Sequence, residues 1–273
     1  SSALILVKQN YIVLEVIKMA ITKFALEYHE KMFPGYESVL ATTDPELIEF
    51  FDNFAFDEVI NEEGKGVPDK ERFIAILSVL IGCQGVEEFR AMVPAAMNFD
   101  VTPIEIKEIV YQAIAYLGIG RVLPFLKAVN EIFIEKEIKL PLEEQGTTNS
   151  ETRLKKGIQA QVDIFGKKME DFYKSGSEET RHINRWLASN CFGDYYTRRG
   201  LDLRLRELIT FCFLYAQGGC EPQLKGHVIG NINVGNDKQF LINIVSQCVP
   251  FIGYPRSLNA LRCIEEVTET KKK

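Results

Sequence analysis

The apolar residues of this chain recur every three or four positions, and few stretches alternate as a strand would. The segment IEIKEIVYQAIAYLG after Thr102-Pro103 is the clearest case. Its apolar residues fall on one helical face, a capping threonine and a first-turn proline precede it, and Gly118 ends it. Other helices of the first half follow the same grammar. Asp44-Pro45-Glu46 opens LIEFFDNFAFDEVI, and Asp69 is placed to cap a helix carrying Phe73, Ile76, Leu77 and Leu80. Glycines at 82 and 85 break that helix, 87–97 form the next, and 121–134 make one more. Residues 140–150 (LPLEEQGTTNS) are polar, with proline and glycine, and read as a linker. In the second half a helix is predicted over 152–173, another from a Ser177 cap through Trp186, and a third capped by Asp202 that contains Glu207. That helix ends at Gly218-Gly219-Cys220; the next carries His227 toward Asn233, one follows Asn236-Asp237, and the last begins after Gly253-Tyr254-Pro255. The fold class is all-α.

The two halves repeat. At a fixed offset of 135 residues, 82–131 and 217–266 align without gaps. Val93/Val228, Asn98/Asn233, Ile109/Ile244, Val110/Val245, Gln112/Gln247, Gly118/Gly253, Arg121/Arg256, Leu123/Leu258, Leu126/Leu261 and Glu131/Glu266 are then identical. Ten identities over fifty positions indicate an internal duplication. The organisation expected is an amino-terminal helical extension (1–43), a first repeat (44–139), the linker (140–150) and a second repeat (151–273).

Composition narrows the function classes. Apolar residues make up 46% and charged residues 26% of 273, which is globular. The net charge of −6 argues against a nucleic-acid binder, which needs a basic surface. Six cysteines, at 83, 191, 212, 220, 248 and 263, sit on mostly apolar segments with no CxxC and no zinc-like spacing, so no metal is expected. They read as reduced, buried thiols of a cytoplasmic protein. The apolar stretches at 3–7 and 11–21 are interrupted by Lys8, Gln9, Asn10, Glu15 and Lys18, too often for a transmembrane helix. No basic region precedes them as in a signal peptide, so a packing helix and no membrane association are expected.

Groups able to do acid–base chemistry concentrate in 205–266: His227, Glu207 and, more weakly, Cys220. Taken alone, His227 reads as a core histidine, Glu207 as a first-turn residue complementing the helix dipole, and Cys220 as a small turn residue. His29 and His182 fall outside this stretch and read as surface residues.

The segments LDLRLRELITF, GGCEPQLKGHVIGNINVG and PFIGYPRSLNAL resemble the carboxymuconolactone decarboxylase family, relatives of alkylhydroperoxidase D. Both halves fit, over about 44–267, the second more strongly. The resemblance implies a duplicated helical repeat, a helical hairpin around the site and ring-like oligomers, hence a homotrimer for a two-repeat chain. It places Glu207 at the family's glutamate, His227 at its histidine and Cys220 at the first cysteine of the peroxidase branch. The second cysteine falls on Gln223, so the dithiol relay lacks its resolving partner.

The function implied is a cofactor-free carboxy-lyase acting on a small carboxylated, lactone or aromatic-derived, substrate. His227 would donate the proton, Glu207 would orient it, and Arg198 or Arg256 would clamp a carboxylate. Arg256 has a counterpart at Arg121, so a structural ion pair there is an equal reading. The alternatives are a single-cysteine hydroperoxide reductase, with His227 lowering the Cys220 pKa, and a non-catalytic ligand-binding or structural paralogue. In the first repeat the histidine position is Met92, the glutamate position Phe73 and the thiol position Gly85, with Cys83 two residues away. That repeat is expected to be catalytically empty and to lend wall residues such as Phe99 or Met97.

Overall fold

A computed structural model describes residues 20–270; nearly all of the apolar amino-terminal stretch lies outside the described residues. Among the described residues there are α-helices and no strands. The first half contains α1 (Lys23–Met32), α2 (Leu40–Thr43), α3 (Pro45–Asn53), α4 (Val59–Asn61), α5 (Asp69–Gly82), α6 (Val86–Asn98), α7 (Pro103–Leu117) and α8 (Ile119–Glu135). The second contains α9 (Arg153–Phe165), α10 (Arg181–Trp186), α11 (Leu203–Gln217), α12 (Glu221–Asn233), α13 (Lys238–Ile252) and α14 (Tyr254–Thr270). From α6/α12 onward, the helices begin and end 135 residues apart. The correspondence reaches further back than the sequence identities: a π-helical turn at Phe54–Glu58 matches a longer one at Leu187–Tyr196.

The caps show which local signals act. At α7, Thr102 accepts from the Glu105 N–H while Glu105 accepts from the Thr102 N–H, a complete capping box. Asp202 and Asp237 accept from Leu205 and Phe240 N–H at the starts of α11 and α13. Asp44 makes no side-chain cap, and α5 begins at Asp69 itself after Pro68, with the Asp69 carboxylate bound by Tyr28 and Arg72 instead. The helix predicted over 152–173 stops at Phe165, because Gly166 takes a left-handed φ of 89°. Two short 3-10 turns follow, and α10 starts at Arg181, later than a Ser177 cap would place it.

The repeats share one core. At Gly82 of α5 an added Cβ would lie 2.7 Å from the Ala216 Cβ and 2.9 Å from the Phe213 carbonyl, so α5 and α11 cross almost backbone to backbone. Buried Phe73, Leu77, Leu80, Phe211, Phe213 and Ile244 belong to one continuous apolar cluster spanning both halves. The repeats also clasp each other through matched amides. Gln112 donates to the Arg206 carbonyl at 2.8 Å, and Gln247, its counterpart, donates to the Val59 carbonyl at 2.9 Å. A second crossing is tighter still: Cβ atoms at Gly157 of α9 and Gly193 of the π-helix would overlap the Ala188 and Arg153 carbonyls. This contact presses α9 onto the π-helix and brings the ends of both toward Glu207.

Candidate active site

Glu207 sits in the second turn of α11 and is fully buried. A carboxylate removed from water is stable only with its lone pairs satisfied. Its Oε2 lies 2.8 Å from His227 Nδ1, and its Oε1 accepts the Tyr196 hydroxyl at 2.9 Å. Gly230, one turn after His227 on α12, leaves room for that carboxylate; a Cβ there would overlap Glu207 Oε2. Asn231 fixes the pairing of the two helices by donating to the backbone carbonyls of both Glu207 and His227.

Behind Glu207 runs a buried chain of hydroxyls with one consistent direction. Cys191 Sγ donates to the Tyr116 hydroxyl at 3.5 Å, and Tyr116 donates to Tyr196 at 3.0 Å. Gln112 donates to Thr210, which leaves the Thr210 hydroxyl to donate to Tyr196. Tyr196 then gives its proton to Glu207. Burial pushes the phenols of Tyr116 and Tyr196 well above the ordinary tyrosine range and the Cys191 thiol up to about 12, so each stays a donor. Every proton in the chain points toward Glu207 Oε1, while Oε2 faces His227 Nδ1. With Nδ1 facing Glu207, Nε2 is the ring nitrogen left outside that contact. The imidazole stands between two ring edges, Tyr116 at 5.7 Å and Phe165 at 5.4 Å, and its side chain is 12% exposed.

The structure thus brings His227 and Glu207 together and leaves the other predicted residues outside the pair. Cys220 is the N-cap of α12, about 10 Å along the helix from His227. Its Sγ is 3.2 Å from the Leu214 carbonyl, and burial pushes the thiol up, so His227 does not lower its pKa as the peroxidase reading required. Arg198 forms a fork with Glu108, both Nε contacts at 3.0 Å, and Glu108 is shared with fully buried Arg206. Arg256 donates to the Ala216 carbonyl at the far end of α11. Both arginines hold structure together.

The first repeat contributes differently from expectation. Phe99 stacks on Phe73 at 4.6 Å within its own repeat, away from His227, whereas Tyr116 and Gln112 of α7 enter the site. The fixed offset places Arg72, not Phe73, opposite Glu207; Arg72 is buried and donates to Tyr28 and Asp69. Sequence reasoning also passed over Gln161. It is fully buried one turn before Ile164 and Phe165, which pack at Gly230, and neither its amide nitrogen nor its amide oxygen has a hydrogen-bond partner. A buried glutamine amid an apolar helix face was the signal available for it.

The comparisons with known proteins agree with the duplicated helical fold. The carboxymuconolactone decarboxylase family matches twice, over residues 45–131 and 182–266, together more than half of the chain. The chain belongs to this family. The matched segments are themselves offset by 135 at their ends, as the helices are. The chain is also 27% identical over 120 residues to a protein of Acinetobacter baylyi described as 4-carboxymuconolactone decarboxylase. That alignment covers 89% of the relative and 44% of this chain, so the relative is about one repeat long.

Proposed function

We propose that this tandem family member is a cofactor-free carboxy-lyase acting on a small carboxylated substrate, of lactone or aromatic-derived type. Loss of CO2 breaks the bond between a ring carbon and its carboxylate, and the electron pair passes into the adjoining unsaturated lactone as an enolate. His227 Nε2 delivers the proton that reforms a C–H bond on the ring. Glu207, held by Tyr196, positions the imidazole and balances its charge while Nε2 is protonated. Gln161 offers an amide to a substrate oxygen. The observation that carries the reading is the His227 Nδ1–Glu207 contact of 2.8 Å, with the carboxylate buried and its second oxygen already satisfied. The relative's description as a 4-carboxymuconolactone decarboxylase supports the substrate class.

We place the protein in the cytoplasm, in keeping with six cysteines that form no disulfide. No helix among the described residues is long and apolar enough to cross a membrane. We further propose a homotrimer, supported by apolar residues exposed at corresponding positions of both repeats.

The test is CO2 release from a panel of carboxylated lactones and β-keto acids. His227→Gln keeps a polar side chain of similar reach and should lower turnover about a hundred- to ten-thousand-fold with the fold intact. Met92→Leu, at the corresponding place in the first repeat, should change little. Full activity in His227→Gln, or loss in a folded Met92→Leu, overturns the assignment.

A further inference from the structure

The place that His227 occupies in the second repeat is, in the first, an open cavity of about 870 Å³. The correspondence is residue by residue at the 135 offset: Leu26, Phe56 and Met92 line it where Gln161, Cys191 and His227 stand, and Phe251 closes it where Tyr116 closes the other. Each repeat therefore completes the other's site with the end of its third long helix. The volume is that of an ordinary small-molecule pocket. Apart from His29, the ionisable carboxyl and imidazole groups lining it among the described residues are acids: Glu30, Glu37, Asp52 and Glu88. Asp52, 8% exposed, and half-buried Glu88 have no hydrogen-bond or ion-pair partner there, and Glu30 and His29 complete the rim. His29 is thus a half-buried wall residue rather than a surface one. Among the described residues no lysine or arginine lines the cavity.

We infer that the first repeat is a binding site for a hydrophobic amine: an apolar body seated against Leu26, Phe56, Met92 and Phe251, with its ammonium group paired to Asp52. The apolar walls recognise any hydrophobic molecule of the right size. The acids select among them, because a buried carboxylate without a partner gains a charge-assisted hydrogen bond from an ammonium and nothing comparable from an alcohol. A carboxylate ligand would meet like charge. The site therefore selects against the anionic substrates proposed for the His227 site, and the duplication has yielded two sites of opposite preference. The different polarity of the two walls follows from exchanges at matched positions: Met92 for His227, Leu26 for Gln161, Asp52 for Leu187 and Glu88 for Gln223.

Calorimetric titration of the full chain at pH 8 with decylamine, 1-decanol and decanoate tests this. Decylamine should bind once per chain, about ten-fold or more tighter than decanol, with decanoate weakest. Asp52→Asn should bring the amine to within about three-fold of the alcohol and leave the alcohol unchanged. Glu88→Gln, on a different helix, serves as a second variant with the same expected direction. His227→Gln should bind the amine as the parent does, which separates this site from the active site. No saturable binding of decylamine, decanoate binding as tightly as the amine, or an amine preference that survives both acid substitutions overturns the inference.

Discussion

At the scale of single residues, Asp52 is the exception that calls for an account. It lies on α3 beside Phe51 and Phe56, and burial pushes its carboxyl up to about 6. The native state thus keeps the Asp52 proton to higher pH than the unfolded chain does. Its contribution is full below the ordinary aspartate range, near pH 4, and is lost as pH rises through about 6. Asp52→Asn should therefore gain stability over the parent at pH 8 and lose that advantage at pH 4. The gain is on the order of 2 kcal/mol, read from urea midpoints at the two pH values. Equal midpoint differences at both pH values would show that Asp52 titrates normally. The His227–Glu207 pair was legible because family spacing singles out those two positions on neighbouring helices. The rest of the constellation was not. Tyr116, Tyr196 and Gln112 come from α7 and the π-helix, and nothing in their local sequence says that their polar ends converge on Glu207.

At the scale of elements, capping residues and apolar period located the four long helices of each repeat, and the offset of 135 carried over from sequence to helix ends. The misread helix end at Phe165 and the unforeseen π-helix fall where backbone contact overrides period. The π-helix Leu187–Tyr196 and the stop at Phe165 serve the crossing of α9 against that π-helix, and hydroxyls of Thr148 and Thr197 satisfy the Gly193 carbonyl within it. No hydrophobic pattern encodes a contact made through two glycines. Gly157→Ala forces a methyl into the Ala188 carbonyl and should destabilise by about 1–3 kcal/mol or more, with lower activity through movement of Phe165. Gly226→Ala is the control. It lies inside α12 beside His227, a Cβ there meets nothing within 4 Å, and the change should stabilise by about 0.4–1 kcal/mol. Thermal melts of the pair read the contrast directly; similar shifts in both would mean that the α9 crossing can relax.

At the scale of the whole molecule, duplication gives one chain two copies of the same surface. Ile119 and Leu123 at the start of α8 are exposed, and so are Tyr254 and Leu258 at the corresponding positions of α14. Two apolar patches related by the internal repeat are what a closed ring needs, since the surface at one end of a chain can meet the matching surface of the next. Three chains then arrange six repeats with approximate sixfold symmetry, as proposed above. Sedimentation equilibrium at micromolar concentration should give three times the chain mass. Leu258→Asp places a charge within the patch of the second repeat and should shift the protein to smaller species without loss of helix content. Because Leu258 lies on the outer face of α14, its replacement disturbs no core contact, so a change of mass reports the interface alone. A monomeric parent protein overturns the trimer.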